Sequence, residues 1–148
     1  MSLFQWQESL SVGDAAVDAD HQLLITGLNM MHDAMLAGRG KEVVGAILDG
    51  MVLHLKEHIA REEALWKRID YAGLAEHKKE HEECLRLAGD LYQLYKAGEV
   101  ALVIDVMTFM QNRLFAHMVN QDKKAAEAIA AAEIHRSCRV CARRRNAA

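Results

Sequence analysis

Five histidines and two acidic residues lie where the sequence pattern predicts the buried faces of four helices. His58 and Glu62 are four residues apart, and so are His77 and His81. A spacing of four places two side chains one above the other on a helix, where both can reach one metal ion or two adjacent ions. With one residue from the first helix and two from the fourth added, the candidate metal ligands are His21, His58, Glu62, His77, His81, His117 and Asp122.

Asp122 differs from the others in its spacing. It stands five residues after His117, and on an α-helix five residues rotate a side chain away by more than a third of a turn. A bridging carboxylate can still reach inward from that position, but this pair taken alone is weak evidence for a metal site.

The kinds of ligand indicate which metal they would bind. A single buried histidine is usually a hydrogen-bonded core residue, but seven polar side chains in one core would leave several groups unsatisfied, at about 1–3 kcal/mol each. Seven ligands are too many for one tetrahedral zinc ion. No inward pair of thiolates selects copper(I) or an iron–sulfur cluster. Imidazoles with two carboxylates favour two metal ions bridged by the carboxylates, as in the di-iron proteins built inside four-helix bundles.

Four helical segments must position these ligands. The chain has no proline, and Gly38, Gly73 and Gly98 stand where the apolar helical pattern lapses, as turn and capping glycines do. The segments predicted between these breaks cover about residues 19–37, 41–69, 73–97 and 99–133. Each has apolar residues at spacings of three and four, which is typical of an amphipathic helix. Short connections make neighbours antiparallel, so the sequence predicts an all-α, up-down-up-down four-helix bundle.

The chain ends extend beyond this bundle. Residues 1–17 are predicted to form an N-terminal arm that Phe4 and Trp6 attach to the bundle surface. Either Asp18 or Asp20 would cap the first helix, because a short carboxylate accepts from free backbone N–H groups. We expect one domain over residues 1–134, with the bundle from about residue 18, followed by a short basic tail at 135–148.

Composition excludes several classes of protein. The chain has 148 residues, of which 51% are hydrophobic and 26% charged, and a net charge of −3. These values are typical of one globular domain and give no sign of a nucleic-acid partner. No apolar run approaches the ~18 residues of a membrane span, and the first ten residues do not form a secretion signal. Three cysteines without an export signal favour free thiols and a cytoplasmic location.

The ligand-bearing stretches DADHQLL, HIAREE, HKKEH and HMVNQD resemble those of the hemerythrin family, specifically the single-domain bacterial hemerythrins. They occur in the family's order, and the resemblance covers about residues 4–125. It implies a non-haem di-iron site, with two irons per chain and an oxo or hydroxo bridge, that binds O₂ reversibly. The resemblance implies that the first iron is held by His77, His81 and His117. It implies that the second iron, which keeps an open position, is held by His21 and His58, and that both irons are bridged by Glu62 and Asp122.

The surroundings of the site depart from the family at several positions. The chain has Arg113 where the family usually has Trp, Met118 for Ile, Cys84 for Phe, His54 for Tyr and Ala125 for Tyr. We expect these changes to alter the lifetime of bound O₂ more than the metal site itself. The residues assigned to the O₂ pocket are Leu24, Cys84, Met118 and Arg113.

Two further histidines are left out of the ligand set. His54 stands four residues before His58, so it could be an extra metal ligand. Because the primary ligand set is already complete, we instead assign His54 a role behind the ligands or in packing. His32 is interpreted as a residue on the flank of the first helix.

The tail has a chemistry of its own. Residues 135–148 carry five arginines and no acidic residue. His135, Cys138 and Cys141 supply three soft ligands, one short of a closed zinc site, and C-x-x-C is also the spacing of thiol redox pairs. The alternatives are a solvated basic extension with unreactive thiols, a redox or metal role, and a docking segment for a protein partner.

Three functions follow as hypotheses. The first is reversible O₂ binding by a carrier, store or sensor that is not an enzyme, with small anions as competitors. The second is a di-iron enzyme, either a peroxidase or a nitric oxide reductase. The third is an interaction module that senses iron or redox state.

Overall fold

The computed structural model describes residues 4–39, 41–98 and 108–145, without the side chains of residues 41, 42, 110 and 136–145. All regular structure in these ranges is helical, which confirms the predicted all-α four-helix bundle. The elements in chain order are a 3-10 helix (Glu8–Leu10), α1 (Ala15–Leu36), α2 (Lys41–Arg68), α3 (Leu74–Ala97) and a fourth helix, α4, from residue 108 to residue 145. Within α4, Met110–Phe115 and Met118–Asp122 are π-helical and Lys123–Arg145 is α-helical.

Helices α1 and α3 end beside glycines that the sequence predicts as helix breaks. Gly38 follows α1 with φ 62°, and Gly98 caps α3 with φ 75°. These are left-handed conformations that glycine adopts without steric cost. The predicted start of α4 near residue 99 lies outside the described residues. The apolar repeat also predicts that Leu36 and Leu94 lie on buried faces, and this is wrong, because Leu36 is 76% exposed at the last residue of α1 and Leu94 is 42% exposed on α3.

The beginning of α1 differs from the prediction. The helix begins at Ala15, and Asp14 is its cap, since its carboxylate accepts from the backbone N–H groups of Ala16 and Val17 at 3.0 and 3.2 Å. Neither expected cap has that role: Asp18 accepts from the Ser11 hydroxyl and the Val12 backbone N–H, and Asp20 pairs with the Arg61 guanidinium. Asp18 therefore ties the arm to the helix.

The N-terminal arm packs on the bundle as predicted. The Phe4 ring lies 4.8 Å from the Phe115 ring between centroids, and Asn29 on α1 both accepts from and donates to the Phe4 backbone. Trp6 packs against a buried cluster that contains Ile25 and Met118. These contacts hold the arm across α1 and α4.

Two further apolar clusters stabilise the bundle. The larger one joins all four helices and includes Leu28, Leu55, Cys84 and Leu114. The second, around the fully buried Trp66, joins the arm, α1, α2 and α4. None of the helices in the described ranges combines the length and apolar character needed to cross a membrane.

The basic tail continues α4 without a break. The helix runs through Arg145, so no change of secondary structure marks the expected boundary at residue 135. Ile134 is 69% exposed, and His135 is exposed as well. The side chains of Cys138 and Cys141 lie outside the described part of the chain, so the tail chemistry stays a prediction.

Two helical glycines make a matched test of the packing. A Cβ at Gly89 on α3 would meet nothing within 4 Å, whereas a Cβ at Gly45 on α2 would collide with the Tyr95 hydroxyl. We expect Gly89→Ala to stabilise the fold by about 0.5–1 kcal/mol, because alanine loses less backbone entropy in a helix. Gly45→Ala is expected to destabilise it. Thermal unfolding of both variants measures the difference, and a loss of stability in Gly89→Ala would contradict the packing described.

Candidate metal centre

The seven predicted ligands meet inside the bundle. Each of the four helices contributes at least one, and all seven side chains are buried, with no residue more than 8% exposed. They form two groups in which the candidate ligand atoms all lie within 4.8 Å of one another. Glu62 and Asp122 belong to both groups. The remaining members are His77, His81 and His117 in one group, and His21 and His58 in the other.

The π-helical turn in α4 explains how Asp122 reaches the centre. Met118–Asp122 is π-helical and directly follows His117. A π-helix closes its hydrogen bonds between residues five apart, instead of four. The five-residue spacing therefore sets Asp122 on the same side as His117, and the rotation expected for an α-helix does not occur. Both side chains are buried.

The Asp122 carboxylate faces both groups. Its Oδ1 lies 3.1 Å from His117 Nε2 and 3.4 Å from His77 Nε2. Its Oδ2 lies 3.3 Å from His21 Nε2. One oxygen thus points to each group, which is the arrangement that a bridging carboxylate needs.

The Glu62 carboxylate lies between histidines of the same two groups. Its Oε2 is 3.1 Å from Nε2 of both His77 and His81, and 4.0 Å from His58 Nε2. The His81 and His117 Nε2 atoms also lie only 3.1 Å apart. The Nε2 atoms of all five histidines therefore converge on two carboxylates.

Three carboxylates outside the predicted ligand set stand behind the histidines. Glu63 Oε1 lies 3.2 Å from His81 Nδ1, and Glu80 Oε2 lies 3.1 Å from His117 Nδ1. A carboxylate in this position holds the proton on Nδ1 and leaves the Nε2 lone pair free for a metal. Both glutamates are adjacent in sequence to a ligand, Glu62 or His81, and this adjacency was the only available signal.

The third carboxylate, Asp20, lies behind the other histidine group. Its Oδ2 is 3.7 Å from His58 Nδ1 and is paired with the Arg61 guanidinium. The residue is 6% exposed. His54 Nε2 lies 3.1 Å from the Asp20 carbonyl oxygen, so the structure places His54 beside Asp20, behind His58. His54 belongs to neither ligand group.

Burial and hydrogen bonding prepare these groups to bind cations. Burial lowers the pKa of His58 to about 4, which keeps its imidazole neutral. Burial alone would raise the pKa of Glu62, but hydrogen bonds from His77 and His81 outweigh it and lower that pKa. Likewise, contacts with His117 and His21 outweigh burial and hold the pKa of Asp122 well below its usual range. Ionised carboxylates and neutral imidazoles are the forms that coordinate metals.

Unsatisfied polar atoms test whether a metal fits this site. Both ring nitrogens of His21, Glu62 Oε1 and both Asp122 oxygens have no hydrogen-bond partner among the described residues. Buried polar atoms in proteins are normally paired. Cations bound between the two groups would satisfy the atoms that face inward, and N and O donors without thiolate suit iron. The residues therefore fit a two-metal centre.

The residues expected to form one O₂ pocket line or border different cavities and clusters. Leu24 lines a groove between α1 and α2 that also reaches His54. Cys84 and Arg113 line a different, polar cavity of about 380 Å³ beside His117, between α3 and α4. Met118 lies in the cluster under the arm. The described cavities do not bring the four side chains together, and their assignment to one O₂ pocket stays a prediction.

Cys84 sits at the edge of the apolar core. It is 6% exposed, contributes to the larger cluster and also lines the polar cavity. Burial raises the pKa of its thiol to about 11. The side chain is therefore a neutral thiol at neutral pH. Arg113, which shares the cavity, is exposed.

Comparison with known proteins identifies the family. The family model of the hemerythrin HHE cation binding domain matches residues 12–129. A bacteriohemerythrin of Ralstonia nicotianae is 32% identical over 123 residues, which cover 83% of this chain and 86% of the relative. One of Stenotrophomonas maltophilia is 29% identical over 131 residues, covering 88% and 84%.

Solved structures agree with the sequence comparison. A crystal structure of wild-type hemerythrin matches with a TM-score of 0.77 at 25% identity, covering 85% of this chain and 97% of that chain. A point mutant of hemerythrin matches with a TM-score of 0.79 at 25% identity, covering 86% and 98%. The fold, the convergent His, Glu and Asp cluster and these matches lead to one conclusion: the chain belongs to the hemerythrin family.

Proposed function

We propose that this protein binds O₂ reversibly at a pair of non-haem irons, as an oxygen carrier, store or sensor. The observation that carries the proposal is the pair of buried ligand groups that share Glu62 and Asp122. Two irons at this site would supply the electrons that reversible O₂ binding requires. The bacteriohemerythrin relatives support the same assignment.

The two groups differ in the number of ligands. Three histidines and two shared carboxylates give one metal five protein ligands, whereas two histidines and the same carboxylates give the other four. With an oxo or hydroxo bridge added, the first metal would have its positions filled and the second would keep one position for a small ligand. We therefore place O₂ binding beside His21 and His58.

The surrounding residues support reversible binding. His21 is 0% and Leu24, one turn later on α1, is 2% exposed, so this half of the site is shielded from water. Asp20 stands behind His58, where it can orient the ring. An apolar wall and fixed ligand orientation slow the proton transfers that would turn bound O₂ into released peroxide.

Iron content and optical spectroscopy test the proposal. We expect elemental analysis of protein expressed with ample iron to give two irons per chain, one for each ligand group. The reduced protein should change its spectrum on exposure to O₂ and recover it when O₂ is removed. One metal per chain, zinc alone, or a spectrum that does not recover would overturn the proposal.

The polar cavity beside His117 favours a second candidate function. It is lined by Arg113, the Cys84 thiol and the Glu80 carboxylate, which admit water and small polar molecules. A di-iron enzyme, such as a peroxidase or nitric oxide reductase, requires such access for protons and substrate. Repeated turnover after addition of peroxide and a reductant would favour the enzyme, and a single stoichiometric oxidation would exclude the peroxidase.

Cys84→Phe is expected to lengthen the lifetime of the oxygenated protein. Cys84 lines the polar cavity, so a phenyl ring there would displace water, with the 150–250 Å² that an aromatic side chain typically buries. The decay of the oxygenated spectrum at matched iron content measures the effect, with Cys84→Ala as the control that adds no bulk. If both variants decay at the wild-type rate with full iron, the thiol only packs the core.

A further inference from the structure

The outer face of α1 and α2 is unusually apolar. Seven large hydrophobic side chains are exposed in the described part of the chain, and five of them lie on these two helices. Three of these five line one groove between the helices, namely Leu23 (58%), Met30 (55%) and Val43 (40%), whereas Leu36 (76%) and Leu53 (61%) lie outside it. Exposed apolar side chains that cluster on one face mark interaction sites more often than scattered ones do. We call this surface the α1–α2 face.

The outer face of α3 provides the contrast within the same molecule. There, Arg86 pairs with Glu83 at 2.7 Å and with Asp90 at 2.8 Å, and Lys79 pairs with Glu76 at 3.2 Å. Such charged rows are what a helix facing water carries. Helix α1 contains no lysine or arginine at all. Helix α1 thus lacks the basic residues that pair with acidic ones along the solvated face of α3.

A groove of about 1000 Å³ runs along the α1–α2 face. Small residues keep it open, among them Ala46 and Gly50 on α2. A Cβ at Gly50 would meet nothing within 4 Å, so the glycine leaves space that no neighbouring side chain of the protein fills. Leu23 and Met30, seven residues apart on α1, form a ridge beside this groove. The face therefore carries both a ridge and a groove.

We propose that the α1–α2 face is the interface of a homodimer, in which the ridge of one copy packs into the groove of the other about a two-fold axis. A two-fold interface is self-complementary, because each residue meets a different residue of the second copy and the contact occurs twice. The charges fit this arrangement. One acidic and one basic residue, Asp33 and Arg39, line the groove. Asp33 of each copy can therefore pair with Arg39 of the other.

Charge and size favour a second copy over other occupants. A membrane surface is normally bound by a helix rich in lysine and arginine on its polar face, which α1 lacks. The net charge of −3 leaves only weak repulsion between two copies. The groove is lined by 15 residues, against the roughly 20–30 per partner of a stable interface. We therefore expect a weak dimer, populated at tens of micromolar. This inference does not depend on the metal centre.

Solution mass as a function of concentration tests the proposal. The mass is measured with the iron-loaded full chain, in reductant so that the cysteines cannot link two chains. At ~100 µM this mass should approach twice the 16.6 kDa of one chain. Met30→Glu on the ridge and Gly50→Leu in the groove should each raise the dissociation constant by roughly tenfold or more. The matched control Leu94→Glu, an exposed leucine on α3, should leave it unchanged.

A charge swap keeps the test decisive if an apolar variant fails to fold. Asp33→Arg should weaken the dimer, and the double variant Asp33→Arg with Arg39→Asp should restore it, since the pairing is then only inverted. A wild-type mass of one chain at every concentration would overturn the proposal. Three other results would overturn it as well. Leu94→Glu could dissociate the dimer as much as Met30→Glu does, the charge swap could fail to restore the dimer, or a monomer could bind anionic vesicles in a way that depends on Met30.

Discussion

Glu62→Ala is expected to lose most of its iron. Glu62 is fully buried and belongs to both ligand groups, so its removal takes a ligand from each metal and a negative charge from the centre. Replacing a group that only supports a ligand typically costs 10–100-fold in metal affinity, and loss of a shared ligand should cost more than about 100-fold. Iron content after gel filtration, measured by elemental analysis, gives the result.

The same helix offers the control for this variant. Glu57 on α2 is exposed and belongs to neither ligand group, so Glu57→Ala should keep the wild-type iron content. Circular dichroism shows whether each variant is folded. A folded Glu62→Ala protein with two irons and unchanged O₂ binding would rule out a bridging role for Glu62.

Removal of the metal is expected to lower the thermal stability sharply. Without cations, buried Glu62 Oε1 has no hydrogen-bond partner, and His21 Nε2 and the two Asp122 oxygens make only ion-pair contacts at 3.1–3.4 Å that fall outside hydrogen-bond geometry. Each unsatisfied atom costs about 1–3 kcal/mol, so we expect a loss of about 4 kcal/mol or more. At roughly 2–4 °C per kcal/mol for a chain of this size, the midpoint of unfolding should fall by about 10 °C or more. Calorimetry before and after anaerobic reduction and chelation measures the shift.

Two comparisons show whether the shift comes from the centre. Ferrous iron added back to the metal-free protein should restore the midpoint. The Glu62→Ala variant, which already lacks most of its metal, should change little on chelation. Equal midpoints for the iron-loaded and metal-free wild-type protein would show that the buried ligands are satisfied without metal, and would count against the two-metal centre.

The sequence determined which residues compose the centre and which helices carry them. His58 with Glu62, and His77 with His81, are separated by one helical turn, so their common faces follow from helix geometry alone. The same periodicity predicts a buried stripe on each helix, and short connections between helices predict antiparallel packing. These signals are local in the chain, which explains why they could be read without a structure.

Only the tertiary structure decided how Asp122 reaches the centre. No feature of the residues Met118–Asp122 predicts a π-helix. A π-helix has weaker hydrogen bonding than an α-helix, so packing and not intrinsic preference favours it here. The carboxylates behind the ligands were missed for a related reason. Glu80 supports His117, a contact across 37 residues, and no spacing rule links positions on different helices.

The surroundings of the centre were also decided by packing. The assignment of Leu24, Cys84 and Arg113 to one O₂ pocket stays a prediction, since Leu24 lines one groove and Cys84 and Arg113 line another cavity. The helical repeat determines which way a side chain points from its own helix. The rotation and offset of one helix against another determine which side chains meet, and these depend on the shapes of all the packed side chains together.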